Sequence, residues 1–159
     1  FIQTGKKWFG GGADMTPSIF INDDVNFFHR SIENVCNKHD KNYYPDFKKQ
    51  CDEYFYLPHR DEPRGEGGIF FDHLNNNNFD NDFNFIHDFG EDILTTICTI
   101  IEKRKNKSWS QDEKDIQLYK RGRYVEFNLL WDRGTLFGLK TGGSTEAILM
   151  SMPPNAKWK

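Results

Sequence analysis

Apolar residues recur along this chain in two rhythms. From Asn22 or Asp23, either able to cap a helix, to Asn37, Val25, Phe28, Ile32 and Val35 fall three and four residues apart, the spacing of one buried helical face. Tyr44–Phe55 repeats it, with Pro45 at the start and Phe47, Cys51 and Tyr54 on one side. A longer run, Phe83–Arg104, carries Phe83, Ile86, Ile93, Ile97, Ile100 and Ile101 and ends in Lys103-Arg104-Lys105, which complements a helix dipole. Ser110–Tyr119 predicts one more helix, with Ser110 and Glu113 at capping-box spacing. The other rhythm is extended. KKWF ending at Phe9, Gly68–Phe71, Tyr124–Trp131 (Glu126 and Asn128 its only polar members), the run from Asp132-Arg133-Gly134 to Leu139 and Glu146–Met152 predict strands, the sheet around Tyr124–Trp131 largely buried. Gly10-Gly11-Gly12 reads as a turn after KKWF, and polar Asp72–Asp82, with its run Asn75–Asn78, as a loop.

Strands and helices that do not alternate strictly predict an α/β protein of α+β type, with about five strands in an antiparallel sheet and about four helices. The length of 159 residues suits a single domain over positions 1–159, and 15 Phe give it a bulky core. A formal charge of −3 without a basic stripe argues against nucleic acid as a partner, and no run of 18 apolar residues predicts a membrane span. Cys36, Cys51 and Cys98 show no CxxC spacing and read as buried reduced thiols of a reducing, cytoplasmic compartment. The chain opens on Phe1 with neither a signal-peptide nor a transit-peptide pattern and reads as cut.

Candidate chemistry gathers in a few places. Asp132-Arg133-Gly134, between two apolar runs, sets an acceptor beside a planar five-donor fork, suited to a ligand bearing both NH and carboxylate groups; the alternative is a solvated hairpin turn. The triple glycine lets backbone approach a ligand closely but lacks the phosphate-loop pattern, and Asp14 beyond it is either a turn cap or a site carboxylate. Arg64 lies in the charged loop RDEPRG before an apolar strand. His29, beside the apolar stripe of the first helix, and His59, just beyond the end of the second, read as hydrogen-bonded structural residues, and two histidines without an HExxH pattern bind an ion weakly.

WFGGGADMTP, HRDEPRGEGGIFFDHL, RGRYVEFNLLWDRGTLFGL and EAILMSMPP resemble, in order, segments of the oxygen-dependent coproporphyrinogen III oxidase family, over Trp8 to Trp158. The resemblance implies a large flat antiparallel sheet flanked by helices on both faces, of which this chain supplies the C-terminal portion. It implies oxidative decarboxylation of two propionates of coproporphyrinogen III to vinyl groups, with molecular oxygen as co-substrate and no cofactor required. Asp132 and Asp14 would be catalytic carboxylates accepting pyrrole N–H groups, with the proton-donor histidine upstream. Arg64, Arg133 and the turn Gly142-Gly143-Ser144 would bind substrate, although relatives place arginine where this chain has Ser144. Relatives are also described with a divalent metal on histidines matching His29 and His59, against the alternative of none. A homodimer with contacts from residues 124–159 is implied. A non-catalytic tetrapyrrole or polycarboxylate binder, or a dimerisation piece, is the competing reading.

Overall fold

Gly10, Gly11 and Gly12, expected to turn the chain, run straight through a strand. The computed structural model describes residues 2–3 and 5–158. In order come β1 (Ile2–Gln3), β2 (Lys6–Lys7), β3 (Phe9–Met15), α1 (Asn22–His39), α2 (Tyr43–Tyr54), β4 (Tyr56–Leu57), β5 (Glu62–Pro63), β6 (Gly67–Leu74), α3 (Phe79–Arg104), α4 (Gln111–Leu130), α5 (Arg133–Lys140) and α6 (Thr145–Leu149). The mixed helix-and-strand class and the antiparallel pairing agree with expectation, but the pairing among the described residues is confined to two-stranded ladders, β1–β2, β3–β6 and β4–β5. The contacts gather into two compact units: Phe1–Thr16, Phe20–Phe55 and Gly65–Lys107 form one, and Pro17–Ile19, Tyr56–Arg64 and Ser108–Lys159 the other.

In the first unit α1, α2 and α3 pack against one face of the β3–β6 ladder. Phe28, Ile32, Val35 and Cys36 of α1, Phe47 of α2, Ile69, Phe71 and Leu74 of β6, and Phe85 and Phe89 of α3 form the core, with Phe9, Ala13 and Met15 of β3 packed against it. The rings meet tilted or offset: Phe85 lies 5.5 Å from Phe71 and 6.0 Å from both Phe47 and Phe89. Charge ties the helices at one end, where Asp24 in the first turn of α1 accepts from Arg104 at 2.6 Å and Lys103 at 3.0 Å. The Arg104 hydrogen bond, against the cost of burial, lowers the Asp24 pKa. The cap of α1 is Ile21 rather than Asn22 or Asp23, and α3 begins earlier than the apolar rhythm because Asn78 of the asparagine run caps it, accepting from the Asn81 N–H at 3.1 Å. Cys36 and Cys51 are buried as expected, but Cys98, pointing off α3, is exposed.

Glycine in the ladder makes room for the partner strand rather than for a bend. A Cβ on Gly68 would stand 2.0 Å from the Ala13 carbonyl oxygen, and one on Gly12 would stand 2.6 Å from that of Ile69. The register carries an irregularity between Phe9, opposite Leu74, and Gly11, opposite Phe71, so Asp72 and His73 together face Gly10. That extra residue returns Leu74 to the core face, where plain alternation from Ile69 and Phe71 would have put His73.

The second unit departs most from the sequence reading. Tyr124–Trp131, predicted as a strand, lies in α4 up to Leu130 with Trp131 as its C-cap, and Glu146–Met152, also predicted as a strand, lies in the short helix α6 up to Leu149. The Ser110–Glu113 capping box forms as predicted and starts a helix that continues past Tyr119. The run after the Asp132 corner is α5.

Substitutions separate the two kinds of glycine. Gly68→Ala should cost about 1–3 kcal/mol, because backbone must move to admit a methyl group. Gly90→Ala, in an exposed stretch of α3 with nothing within 4 Å of the added carbon, should add about 0.5–1 kcal/mol. Urea unfolding of both variants measures this, and a Gly68→Ala protein as stable as the parent would contradict the pairing.

Candidate functional site

The face of the β3–β6 ladder opposite the phenylalanine core carries Gly10, Gly12 and Asp14 from one strand and Gly68, Phe70 and Asp72 from the other. Asp14 accepts from the Thr16 hydroxyl at 3.3 Å, so part of the turn-capping role expected of it is present. Phe70 is braced by Tyr54 of α2, their rings parallel within 13° at 5.0 Å. Past Gly10 the irregularity brings in His73, whose φ of 57° lies in the left-handed region where histidine is among the few side chains enriched. Its N–H donates to Asp72 Oδ1 at 2.8 Å, its Nδ1 lies 3.3 Å from Asp72 Oδ2, and its ring stacks on Trp8 at 4.9 Å and 14°. Neither Asp72 nor His73 was reached from the sequence, where the strand ended at Phe71. The signal was the alternation Gly68, Phe70, Asp72, which carries the strand further.

The two histidines proposed as ligands are already engaged. His29 Nε2 lies 2.9 Å from the Glu66 carbonyl oxygen, which can only accept, so that nitrogen carries the proton and Nδ1, 3.0 Å away, accepts from the Tyr44 hydroxyl. His59 Nδ1 accepts from the Trp131 indole N–H at 3.0 Å, which leaves Nε2 to donate to Glu126 at 2.7 Å. As they stand these rings do not fit a divalent ion. No group of three or more His, Cys, Asp or Glu placed to hold one exists among the described residues.

Glu126 is the hub of the second unit. Its side chain is 10% exposed and accepts from Arg60 twice, at 2.9 and 2.7 Å, from His59, and from Arg123 at 3.2 Å. Arg123 also donates to Glu62 at 2.6 Å and to the Tyr119 hydroxyl. Four residues of the segment 56–64 are thereby tied to α4, including Arg64, which is buried with its guanidinium 4.9 Å from the Phe127 ring and 5.6 Å from the Tyr124 ring. The hydrogen bonds from Arg60 hold the Glu126 carboxyl down to about 2 against the opposing effect of burial, with His59 and the Arg123 charge adding to them.

The remaining predicted site residues sit at helix ends. Asp132 is the N-cap of α5 and accepts from the Thr135 N–H at 2.7 Å, with Arg133 exposed in the first helical position. Gly142, at φ 74°, ends that helix: its N–H reaches the Leu139 carbonyl at 3.4 Å and that of Gly143 reaches Gly138 at 3.0 Å, a Schellman stop. Ser144 then caps α6, accepting from the Ala147 N–H at 3.4 Å. Asp132, Arg133, Arg64 and the 142–144 turn share one unit, and Asp14 belongs to the other.

Carboxylates line the strand face of the first unit, and arginines seated against aromatic rings and at a helix start belong to the second. A model of the coproporphyrinogen III oxidase family matches residues 2–159, and the chain belongs to that family. It is 54% identical over 158 residues to the oxygen-dependent coproporphyrinogen-III oxidase of Rickettsia bellii, covering 99% of this chain and 57% of that protein. The protein of the same name from Francisella tularensis subsp. holarctica is 59% identical over 152 residues, 96% of this chain and 49% of that one. The chain thus spans about half the length of the curated relatives it matches. No helix among the described residues is long and apolar enough to cross a membrane.

Glu126 makes acid sensitivity testable. Because its folded pKa lies below the unfolded value near 4.5, its contribution is complete above that value and is lost as pH falls through about 2. Glu126→Gln should cost about 1.5–3 kcal/mol at neutral pH, and the loss relative to parent should shrink between those two values. Chemical unfolding across that range checks both, and a pH-independent difference would remove the hub from the account.

Proposed function

We propose that this chain forms part of an oxygen-dependent coproporphyrinogen III oxidase of haem biosynthesis, converting two propionates of its substrate to vinyl groups to give protoporphyrinogen IX. The observation that carries the reading is 54–59% identity, over nearly the whole chain, to proteins bearing that name. Each propionate side chain loses carbon dioxide, one proton and two electrons, and oxygen takes the electrons. The reaction draws its reducing power from the electron-rich substrate, so no organic cofactor or catalytic metal is required. In this reading Asp14 and Asp132 accept pyrrole N–H groups, Arg64 and Arg133 hold propionates, and the turn 142–144 completes the subsite with Ser144 offering a hydroxyl where relatives place a guanidinium. The protein works in the cytoplasm as a homodimer to which residues 124–159 contribute.

The full gene product, given coproporphyrinogen III in air, should form protoporphyrinogen, read as the fluorescence of its oxidised form. Binding without turnover would leave a tetrapyrrole carrier and overturn the enzymatic reading. Asp132→Asn separates cap from charge, since asparagine caps a helix as well as aspartate does. Stability should therefore stay within about 0.5 kcal/mol while kcat falls roughly tenfold to a hundredfold, the worth of a charge-assisted hydrogen bond. Arg133→Lys, which keeps charge but loses the planar fork, should also slow turnover. Parent rates in both variants would reduce this corner to a helix cap. Sedimentation at micromolar concentration should give a dimer, and a folded monomer would remove the 124–159 contact.

A further inference from the structure

The irregularity in the β3–β6 ladder sets a histidine where strand alternation would not put one. His73 lies on the same side as Asp14, its ring oriented by Trp8, its Nδ1 beside the Asp72 carboxylate, and its side chain 72% exposed. The arrangement resembles the way a carboxylate orients an imidazole in acid–base catalysis. We propose that His73 is a further catalytic residue, a proton donor to reduced oxygen at the propionate end of the substrate, positioned by Asp72 and Trp8.

The inference rests on the proposed reaction, whose balance requires one proton from outside the side chain for each propionate. R–CH2–CH2–COO⁻ + O2 + H⁺ gives R–CH=CH2 + CO2 + H2O2: the C–C bond to the carboxylate breaks, the β-carbon loses hydrogen, and oxygen gains two electrons. The proton released by the side chain supplies one of the two that peroxide needs. Reduction of oxygen to water over both propionates likewise consumes one outside proton for each. An imidazolium at residue 73 gives up its Nε2 proton and is recharged from solvent, to which it is open, while Asp72 and Trp8 hold the ring in place.

Placement agrees with this role. Gly10, opposite the irregularity, and Asp14 are four strand residues apart, roughly 13 Å at ~3.3 Å per residue. A macrocycle whose inner N–H groups meet Asp14 extends its rim, where the propionates hang, toward His73. The reaction has two propionates to serve.

The test uses the full gene product. His73→Asn keeps a residue type tolerant of left-handed backbone, and His73→Gly relieves that conformation altogether and leaves space for a small molecule. Both should lower kcat about a hundredfold with KM changed less than about twofold, and imidazole in the buffer should restore part of the rate, most in the glycine variant. Parent-like turnover overturns the inference. So does a raised KM at unchanged kcat, which would make His73 a propionate contact, and so does a rate loss that imidazole does not relieve. An inactive parent overturns the proposed reaction itself and this role with it.

Discussion

The close approach of β3 and β6 is the constraint on which the first unit depends. Gly68 and Gly12 leave the backbones of the two strands no side chain to keep them apart. With the ladder drawn tight, Ile69, Phe71, Ala13 and Met15 present one apolar surface to three helices. The opposite surface is left low and polar, and nothing bulky rises from its middle except Phe70. One requirement therefore produces both the core and the opposite face that carries Asp14 and Asp72.

The second unit is fastened by other means. Where the first gathers phenylalanine rings, α4 holds the segment 56–64 through Glu126, Arg123, Arg60 and His59. Exposed ion pairs contribute little, but Glu126 and Arg123 are 10% and 6% exposed, so removing either partner strands a charge away from water. Such a network is directional. It fixes where Arg64 lies against Tyr124 and Phe127 in a way that apolar packing alone would not.

Helices with a clean apolar stripe were legible. Val25, Phe28, Ile32 and Val35 all reach the core, and the asparagine run failed only in being more than a loop, since Asn78 caps α3. The error at Tyr124–Trp131 has a physical origin. Its aromatic and β-branched residues favour extended chain in isolation, but the Ser110–Glu113 box nucleates a helix upstream, no proline interrupts it, and the Asn128 side chain turns back to donate to the backbone carbonyl of Tyr124 at 2.8 Å. The candidate site was legible as residue types rather than as roles. Asp132, Gly142 and Ser144 stand where the motifs put them, yet their local work is starting and stopping helices, which the strand assignment hid. His73 escaped because period-two alternation has no term for an inserted residue.

All three thiols lie in the first unit, and they differ in what it takes to reach them. Cys98 is open to reagents in the folded protein, whereas Cys36 is sealed, its pKa pushed up to about 12 chiefly by burial, and Cys51 is equally enclosed. A disulfide reagent would thus label one position at once and the other two only when the helices part from the ladder. The slow fraction of that labelling is a clock for the opening of one unit, built into the chain without any added probe and blind to whatever the cysteine-free other half is doing.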